Sequence, residues 1–342
     1  GTEKSPLKTL HAARAAARDI KRKGIPEGGI NVILHDGTYA LSESLTFGIE
    51  DSGEPDKPFV WKAAKGAKPI ISGGVPVTGW TKYKNGIWQA KLVRKEKLRQ
   101  LYVNDRPAHM AAYGQSIMPI GWRDRFTITG KESWAAEPGY AYEGMAFKTE
   151  DVPEIAHPED LEFQQRRTWT IQRSNVTGIR QQKLPLPQKT ENDNKDKQDR
   201  NTDVYSGADK TNQLEKVISL ARPVVAIGMN LRFNCGFSTK RRKEVYLYNA
   251  LEFVDQPGEF YFDRSASILY YMPRIGQEMT TAKVLIPALD QLVRIKGKDV
   301  KNHAHDITFE GLTFSHTGWQ MMPIGNSYGA ISYQSSAMSV KF

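Results

Sequence analysis

The sequence contains a single cysteine, Cys235, so neither an intramolecular disulfide nor a cysteine metal cluster can form within it. A lone thiol of this kind is expected to be buried as a small hydrophobe. No apolar run approaches the ~20 residues that a bilayer-crossing helix needs, so no helical membrane span is expected. The chain does not open on a secretory leader either. Gly1-Thr2-Glu3-Lys4-Ser5-Pro6 reads as a mid-sequence turn, as a processed or trimmed N-terminus would. The missing leader carries no information about compartment. A phosphate-binding glycine loop, a nucleophile elbow and a kinase signature are also missing.

Charge is plentiful. Lys and Arg number 48 against 38 Asp and Glu, a net charge of +10, and such a surface attracts nucleic acid, acidic lipid or an anionic polysaccharide. The basic residues are scattered, with knots at Lys21-Arg22-Lys23 and Lys240-Arg241-Arg242-Lys243. The first knot falls in the last turn of a predicted helix, where cations complement the helix dipole. No RNA- or DNA-reading motif accompanies the charge, so nucleic acid is not an expected partner.

Helical periodicity appears once. Ser5 suits a cap and Pro6 the first helical position, and Leu7, Leu10, Ala13, Ala17 and Ile20 recur at three and four. The predicted helix runs from Leu7 to Lys23 and stops at Gly24. Everything after it reads as strand. Ile30, Val32 and Leu34 alternate, then Asp36-Gly37 turns the chain into Thr38-Tyr39. Leu45 and Phe47, Phe59-Val60-Trp61 and Ile70-Ile71 follow, separated by Gly, Asp, Pro and Ser. The absence of long helices between these strands excludes a doubly wound fold and favours an all-β stack.

The same texture returns near the end, at Val293 and Ile295 and again in Ile307–Phe314. There Ile307 and Phe309 share a face, the phase slips at Glu310-Gly311, and Leu312 and Phe314 then face the same way. A strand that turns a corner around one core needs such a slip. Stacked short strands at intervals of roughly 20–30 residues are a solenoid signature. Periodicity alone leaves an antiparallel sandwich open. Residues 79–285 differ from both ends: Lys84-Asn85-Gly86 between Trp80 and Trp88 predicts a hairpin, and so does Asn104-Asp105. Residues 180–213 are nearly devoid of apolar side chains and predict a long solvated, disordered loop. Three segments are expected: 1–78, an inserted β-rich domain over 79–285, and a resumption over 286–342.

Several blocks are more specific than their periodicity. Gly-x-x-x-x-Pro-x-x-Thr-Leu-x-x-Ala-Arg spans Gly1–Arg14, followed by Asp36-Gly37-Thr38-Tyr39, Asp51-Ser52-Gly53, Ser72-Gly73-Gly74 and Gln100-Leu101-Tyr102-Val103-Asn104. Pro257–Arg264, Leu269–Pro273, Phe309–Phe314 and His316-Thr317-Gly318-Trp319 complete the set. In this order they resemble the N-terminal half of the glycoside hydrolases of family 141, which includes α-L-fucosidases and xylanases. The resemblance implies a right-handed parallel β-helix whose first rungs are capped by the short helix and interrupted by the inserted domain. It also implies hydrolysis of O-glycosyl bonds in a plant or algal polysaccharide or its oligosaccharides, in a secreted or periplasmic setting and without a cofactor. A β-helix polysaccharide lyase on an acidic glycan and a non-catalytic carbohydrate-binding β-helix are the alternatives. Family members carry a strand just upstream of Gly1 and many rungs beyond the position of Phe342. The family's catalytic aspartates lie on those later rungs, so no residue here inherits that role and residues 1–342 alone are expected to be inactive.

Individual candidates divide by chemistry. Asp36 and Asp51 precede Gly or Ser-Gly and are expected to be turn residues. Asp263 is expected to close a hairpin. His303 and His305 lack a third ligand nearby, and Asp51, Glu54 and Asp56 lack the remaining ligands of a calcium loop, so no metal is expected. Asn175-Val176-Thr177 fits the N-glycosylation pattern. His316 and Trp319 follow directly on a predicted strand, where loops line grooves, and an exposed Trp offers a sugar-stacking surface. These two are the expected substrate contacts.

Overall fold

The computed structural model describes residues 1–2, 4–132, 138–166, 171–183, 214–222, 225, 237–239, 244–319 and 338–341. Cys235 and the Lys240–Lys243 knot lie outside them. Among the described residues the chain is mostly β, with one α-helix described end to end, helical residues at Arg222 and Val225, and short 3-10 turns.

The helix spans Leu10–Arg22, three residues later than its periodicity predicts. Ser5 is engaged elsewhere, in a tight reciprocal backbone bridge with Thr2. Thr9 caps instead, its hydroxyl accepting Ala12 N–H at 3.1 Å. Leu10 and Ala17 turn inward onto a cluster formed by Leu34, Leu45, Phe47, Phe59, Trp61, Ile71 and Val293. Polar clamps hold the helix in place. Arg18 donates two bonds to Asp51, which is fully buried, and Lys21 Nζ donates to Ile49 O.

Three small sheets, each three-stranded and each all-parallel, surround that cluster. The first holds Ile30–Leu34, Phe59–Ala63 and Ile307–Glu310, with Val32, Trp61 and Phe309 in one row. Thr38–Ala40, Ile70–Ser72 and Thr313–Ser315 make the second, and Leu45–Phe47, Val293–Lys296 and Met338–Lys341 the third. The chain therefore makes three circuits, each laying one strand on each sheet. The corner after Ile307–Glu310 is made at Gly311, whose φ of 66° a β-carbon would disfavour. It is the point where the apolar phase slips. Asp36 Oδ1 accepts Lys68 N–H at 2.6 Å, tying one circuit's turn to the next.

The second circuit is interrupted between its second and third strands. After Ser72 the chain leaves the stack, and it rejoins at Val293. The excursion begins and ends side by side, Gly74–Pro76 pairing antiparallel with Val284–Pro287. A β-carbon on Gly73 would meet Leu292 at 2.8 Å and one on Gly74 would meet His316 at 3.0 Å, so the exit point needs both glycines.

Within the excursion the sheets change character. Gly74–Pro76, Tyr102–Val103, Arg106–Pro107 and Val284–Pro287 form an antiparallel sheet. A five-stranded sheet runs from His109–Met110 through Glu259–Asp263, Ile268–Tyr271 and Trp88–Lys91 to Thr81–Lys82. A six-stranded antiparallel sheet contains Pro119–Ile128, Gly139–Lys148, Leu214–Leu220, Ile171–Lys183, Glu162–Arg166 and Val245–Tyr248. Both predicted hairpins form. Asn85 and Gly86, and likewise Asn104 and Asp105, have positive φ at the two central turn positions, which matches the twist of the flanking strands. The predicted 180–213 loop is overturned at its first four residues. Residues 180–183 extend the strand, with Lys183 opposite Leu214, because ladder hydrogen bonds need no apolar side chains; 184–213 lie outside the described residues.

Candidate functional site

The segment 316–319 is gripped from several sides. His316 has φ 60°, uncommon for a residue with a β-carbon. Its ring holds it there: Nδ1 lies 2.9 Å from Ser72 Oγ and Nε2 lies 3.0 Å from Asp105 Oδ1. Ser72 Oγ already accepts Gly74 N–H at 3.1 Å, which leaves its own proton for Nδ1. The network thus assigns the neutral tautomer with the proton on Nε2, facing Asp105. Burial, the largest influence, pushes His316 below the usual histidine range despite that carboxylate.

Ser72, His316 and Asp105 share the composition of a nucleophilic triad but not its wiring. The serine meets Nδ1 rather than Nε2, and Ser72 and His316 each expose only 1% of their surface. Nδ1 is on Ser72, Nε2 faces Asp105 at ion-pair distance without an aligned hydrogen bond, and the His316 ring is closed off from solvent. It is a bolt between the parallel stack, through Ser72, and the excursion, through Asp105. Tyr102 reinforces the bolt, packing edge-on at 4.9 Å and donating its hydroxyl to Thr317 O at 3.0 Å.

Trp319 is placed differently. The Gln100 side-chain amide pairs with its backbone as a strand would, accepting Trp319 N–H at 2.9 Å and donating to Trp319 O at 3.2 Å. Its ring lines a cleft of about 610 Å³ shared with Arg99, Gln100, Met110, Arg173 and Tyr248. The Arg99 guanidinium stacks 3.9 Å from the indole centroid. The Arg173 guanidinium lies 5.7 Å from the same ring and 5.8 Å from that of Tyr248. The six-stranded sheet supplies one wall because its side chains alternate. Phe163, Val245 and Leu247 face the core, while Gln164 opposite Arg173 and Glu162 opposite Tyr248 share the other side.

The cleft is basic. Arg99 Nη1 donates to Glu162 Oε1, and both residues are buried. Arg173 reaches the other oxygen of the same carboxylate only at 3.9 Å. Glu259 is the one carboxylate among the described residues lining the cleft. Its oxygens are occupied, accepting the backbone N–H groups of Ala112, Asp255 and Gln256. Burial nevertheless raises it above the usual carboxylate range.

Behind this wall lies a second polar cluster. Asp160 accepts from Tyr261 Oη at 2.9 Å and from Arg264 Nε at 2.6 Å, while Asn249 donates to its carbonyl at 2.7 Å. Lys97 Nζ donates to Asp160 O, Leu161 O and Asn175 Oδ1. Burial lowers Lys97 to about 8, and burial together with Asp160 drives the Tyr261 hydroxyl far upward. All of these groups point at one another, so the cluster ties strands together.

The remaining candidates are structural as well. Asp51 receives Arg18, Asp36 binds a backbone N–H, and Asp263 accepts from Ser265 Oγ and Ala266 N across its hairpin. Asn175 sits within a strand, and its Oδ1 accepts from Lys97 Nζ at 3.1 Å, which fixes the side chain against the Lys97 cluster. His303 and His305 lie on an exposed loop, and no metal-binding group of three acidic, histidine or cysteine side chains occurs among the described residues. No described helix is long and apolar enough to cross a membrane.

No family model matches the sequence, and no curated protein matches it. A solved structure named "Glycoside hydrolase" is similar over 95% of this chain and 50% of its own, with a TM-score of 0.71 and 24% identity. The fold is therefore that of the matched part of this glycoside hydrolase, and the chain spans about half of that neighbour's length. A second structure, "The complex structure of XylC with xylose", covers 93% of this chain and 33% of its own at a TM-score of 0.31 and 13% identity.

Proposed function

We propose that this chain is the opening part of a glycoside hydrolase of the family 141 kind, built on a right-handed parallel β-helix and acting on a plant or algal polysaccharide or its oligosaccharides. The observation that carries this assignment is the three-circuit stack, with one strand per circuit on each of three parallel sheets and an excursion set into the second circuit. The fold likeness supports it, as does the order of the sequence blocks. Such a polymer is met outside the cytoplasm, so a secreted or periplasmic location accompanies the activity.

The cleft beside Trp319 is where a sugar rests. Pyranose rings present C–H faces to aromatic side chains and hydroxyls to amides and guanidinium groups, and Trp319, Tyr248, Gln100 and Arg173 offer both. His316 acts through Trp319 as a positioning residue. Hydrolysis needs two carboxyl groups flanking the scissile bond. Glu259 is committed to backbone N–H groups, so the catalytic pair is assigned to rungs outside these residues, as the family resemblance implies.

Release of reducing ends from fucosylated or xylan oligosaccharides by the natural protein is the test. An unsaturated uronate product would instead mark a lyase, and binding without bond cleavage a carbohydrate-binding module. Trp319→Ala should raise KM for oligosaccharides while leaving the melting temperature in place. An unchanged KM would remove the cleft from the assignment.

A further inference from the structure

We infer that the Trp319 cleft is a subsite for an acidic sugar, in which the Arg173 guanidinium pairs with a carboxylate on a ring resting against the Trp319 and Tyr248 side chains. The inference rests on the carbohydrate assignment above and names the class of sugar. It follows from the position of one guanidinium group and the carboxylate it shares. Two guanidinium groups, Arg99 and Arg173, converge on one carboxylate, Glu162. Arg99 occupies it; Arg173 stands 3.9 Å from its second oxygen, beyond hydrogen-bonding distance. One positive charge is thus left over in a partly buried wall, and an uncompensated charge in such a place is costly until an anion meets it.

Hydrogen-bonding groups of both kinds are left over beside it. Arg99 Nε and Trp319 Nε1 are buried and have no hydrogen-bond partner among the described residues. Glu162 Oε2 and Gln164 Oε1 on the same face are unpaired acceptors, so the case rests on Arg173 itself, whose guanidinium fork a planar carboxylate fits with two parallel bonds. A neutral hydroxyl supplies one lone acceptor and no charge. The fork is also held in place. Arg173 sits at nearly equal distances from the Trp319 and Tyr248 rings, and its strand is fixed by pairing with Glu162–Arg166. A pre-positioned guanidinium loses little freedom on binding, so its charge is available to discriminate between ligands. Glu259, the other carboxylate of the cleft, turns its oxygens to backbone N–H groups and makes no ion pair with Arg173 among the described residues.

The experiment is calorimetric titration of the natural protein with three oligosaccharides of equal length: a neutral xylan oligomer, one bearing a uronic acid, and one bearing a sulfate ester. The uronic acid oligomer should bind about tenfold tighter than the neutral one, the worth of one charge-assisted bond. The preference should shrink as salt is raised. Arg173→Gln should abolish it, bringing the uronic acid oligomer to the affinity that the same variant has for the neutral one, and Arg173→Lys, which keeps the charge but not the fork, should retain only part of it. Thermal melts of both variants check that the sheet is intact. Equal binding of neutral and acidic oligomers by the unmodified protein overturns the inference while leaving the carbohydrate assignment standing. So does a preference that survives Arg173→Gln, or a sulfate ester preferred over the planar carboxylate. Failure of all three oligomers to bind sinks the cleft assignment as well.

Discussion

The parallel stack and the excursion hold themselves together by different means. The stack is filled with rings: Phe47 meets both Trp61 and Phe309 edge-on, at 5.3 Å and 5.5 Å, and Phe59 leans on Trp61. Among the described residues its one buried carboxylate in that neighbourhood, Asp51, serves to hold the helix. The excursion also has apolar clusters, but ionised groups are threaded through them, at Asp160 with Arg264, Glu162 with Arg99 and Glu215 with Arg123. Apolar burial is non-directional and tolerates any register that keeps its face inward. Buried ion pairs tolerate one geometry and penalise the loss of either partner. The stack is therefore the element that can be repeated, and the excursion is the element that places particular groups at particular points.

Substitutions should separate the two regions, beginning with the largest effect. Trp61→Ala leaves a hole at the centre of the stack and should cost about 3–5 kcal/mol in denaturant unfolding. A loss below about 1 kcal/mol would mean that the ring cluster is not the stack's support. Asp160→Ala should cost about 2–3 kcal/mol, less than the ~3–5 of a fully buried pair, because Arg264 keeps 32% of its side chain in water. A replacement that removes Asp160, Arg264 and Tyr261 together with well-packed apolar residues should recover most of that loss.

His316 joins the regions, so His316→Ala tests their coupling. It should cost about 1–3 kcal/mol, and it should split one unfolding transition into two when ring fluorescence and excursion hydrogen exchange are followed separately. In the unmodified protein the neutral buried ring binds its proton less readily than the unfolded one. The unfolded state therefore takes up more protons as pH falls below about 6.5, and stability should drop with acidification from there. His316→Gln should flatten that limb.

A separate effect lies at alkaline pH. Lys97 is held at about 8 against 10.5 for the unfolded side chain, so between those values the unfolded chain carries the extra proton and stability should rise with pH. Above 10 the upward-shifted Tyr261 reverses the trend, since there the folded state keeps the proton that the unfolded one loses. Lys97→Met should remove the rising limb in urea titrations, and a stack-only probe should show none in either protein.

How much of this was legible beforehand follows the same division. The circuits were visible because each strand is short and carries its own signal: Leu45 and Phe47 alternate inward, Asp36-Gly37 turns, and Gly311 marks the phase slip. The hairpins at Asn85-Gly86 and Asn104-Asp105 were equally local. The helix start was misplaced because Ser5 has a second use, in its bridge to Thr2, that no local pattern reveals. Trp319 was a visible candidate through its position after a strand. The groups around it were not, since Gln100 and Trp319 lie 219 positions apart and meet only because the excursion folds back on the stack. Arg99 and Arg173 read in sequence as two charges among many. His316 was visible for its residue type, but its burial depends on Ser72, 244 positions away.

The interrupted circuit also sets an order of events during synthesis. The strand at Leu45–Phe47 has its partner at Val293–Lys296, and Ser44 Oγ donates to Gln291 O across 247 positions. At ribosomal speeds that partner emerges roughly 12–50 s after Ser44 does. Until then the first strands expose one edge and an unfinished apolar face, while the excursion, with its short-range hairpins, can assemble first. The insertion thus acts as a timer on the stack. Chaperone occupancy of nascent chains should peak before Gln291 has been made and fall once Val293–Lys296 has left the ribosome.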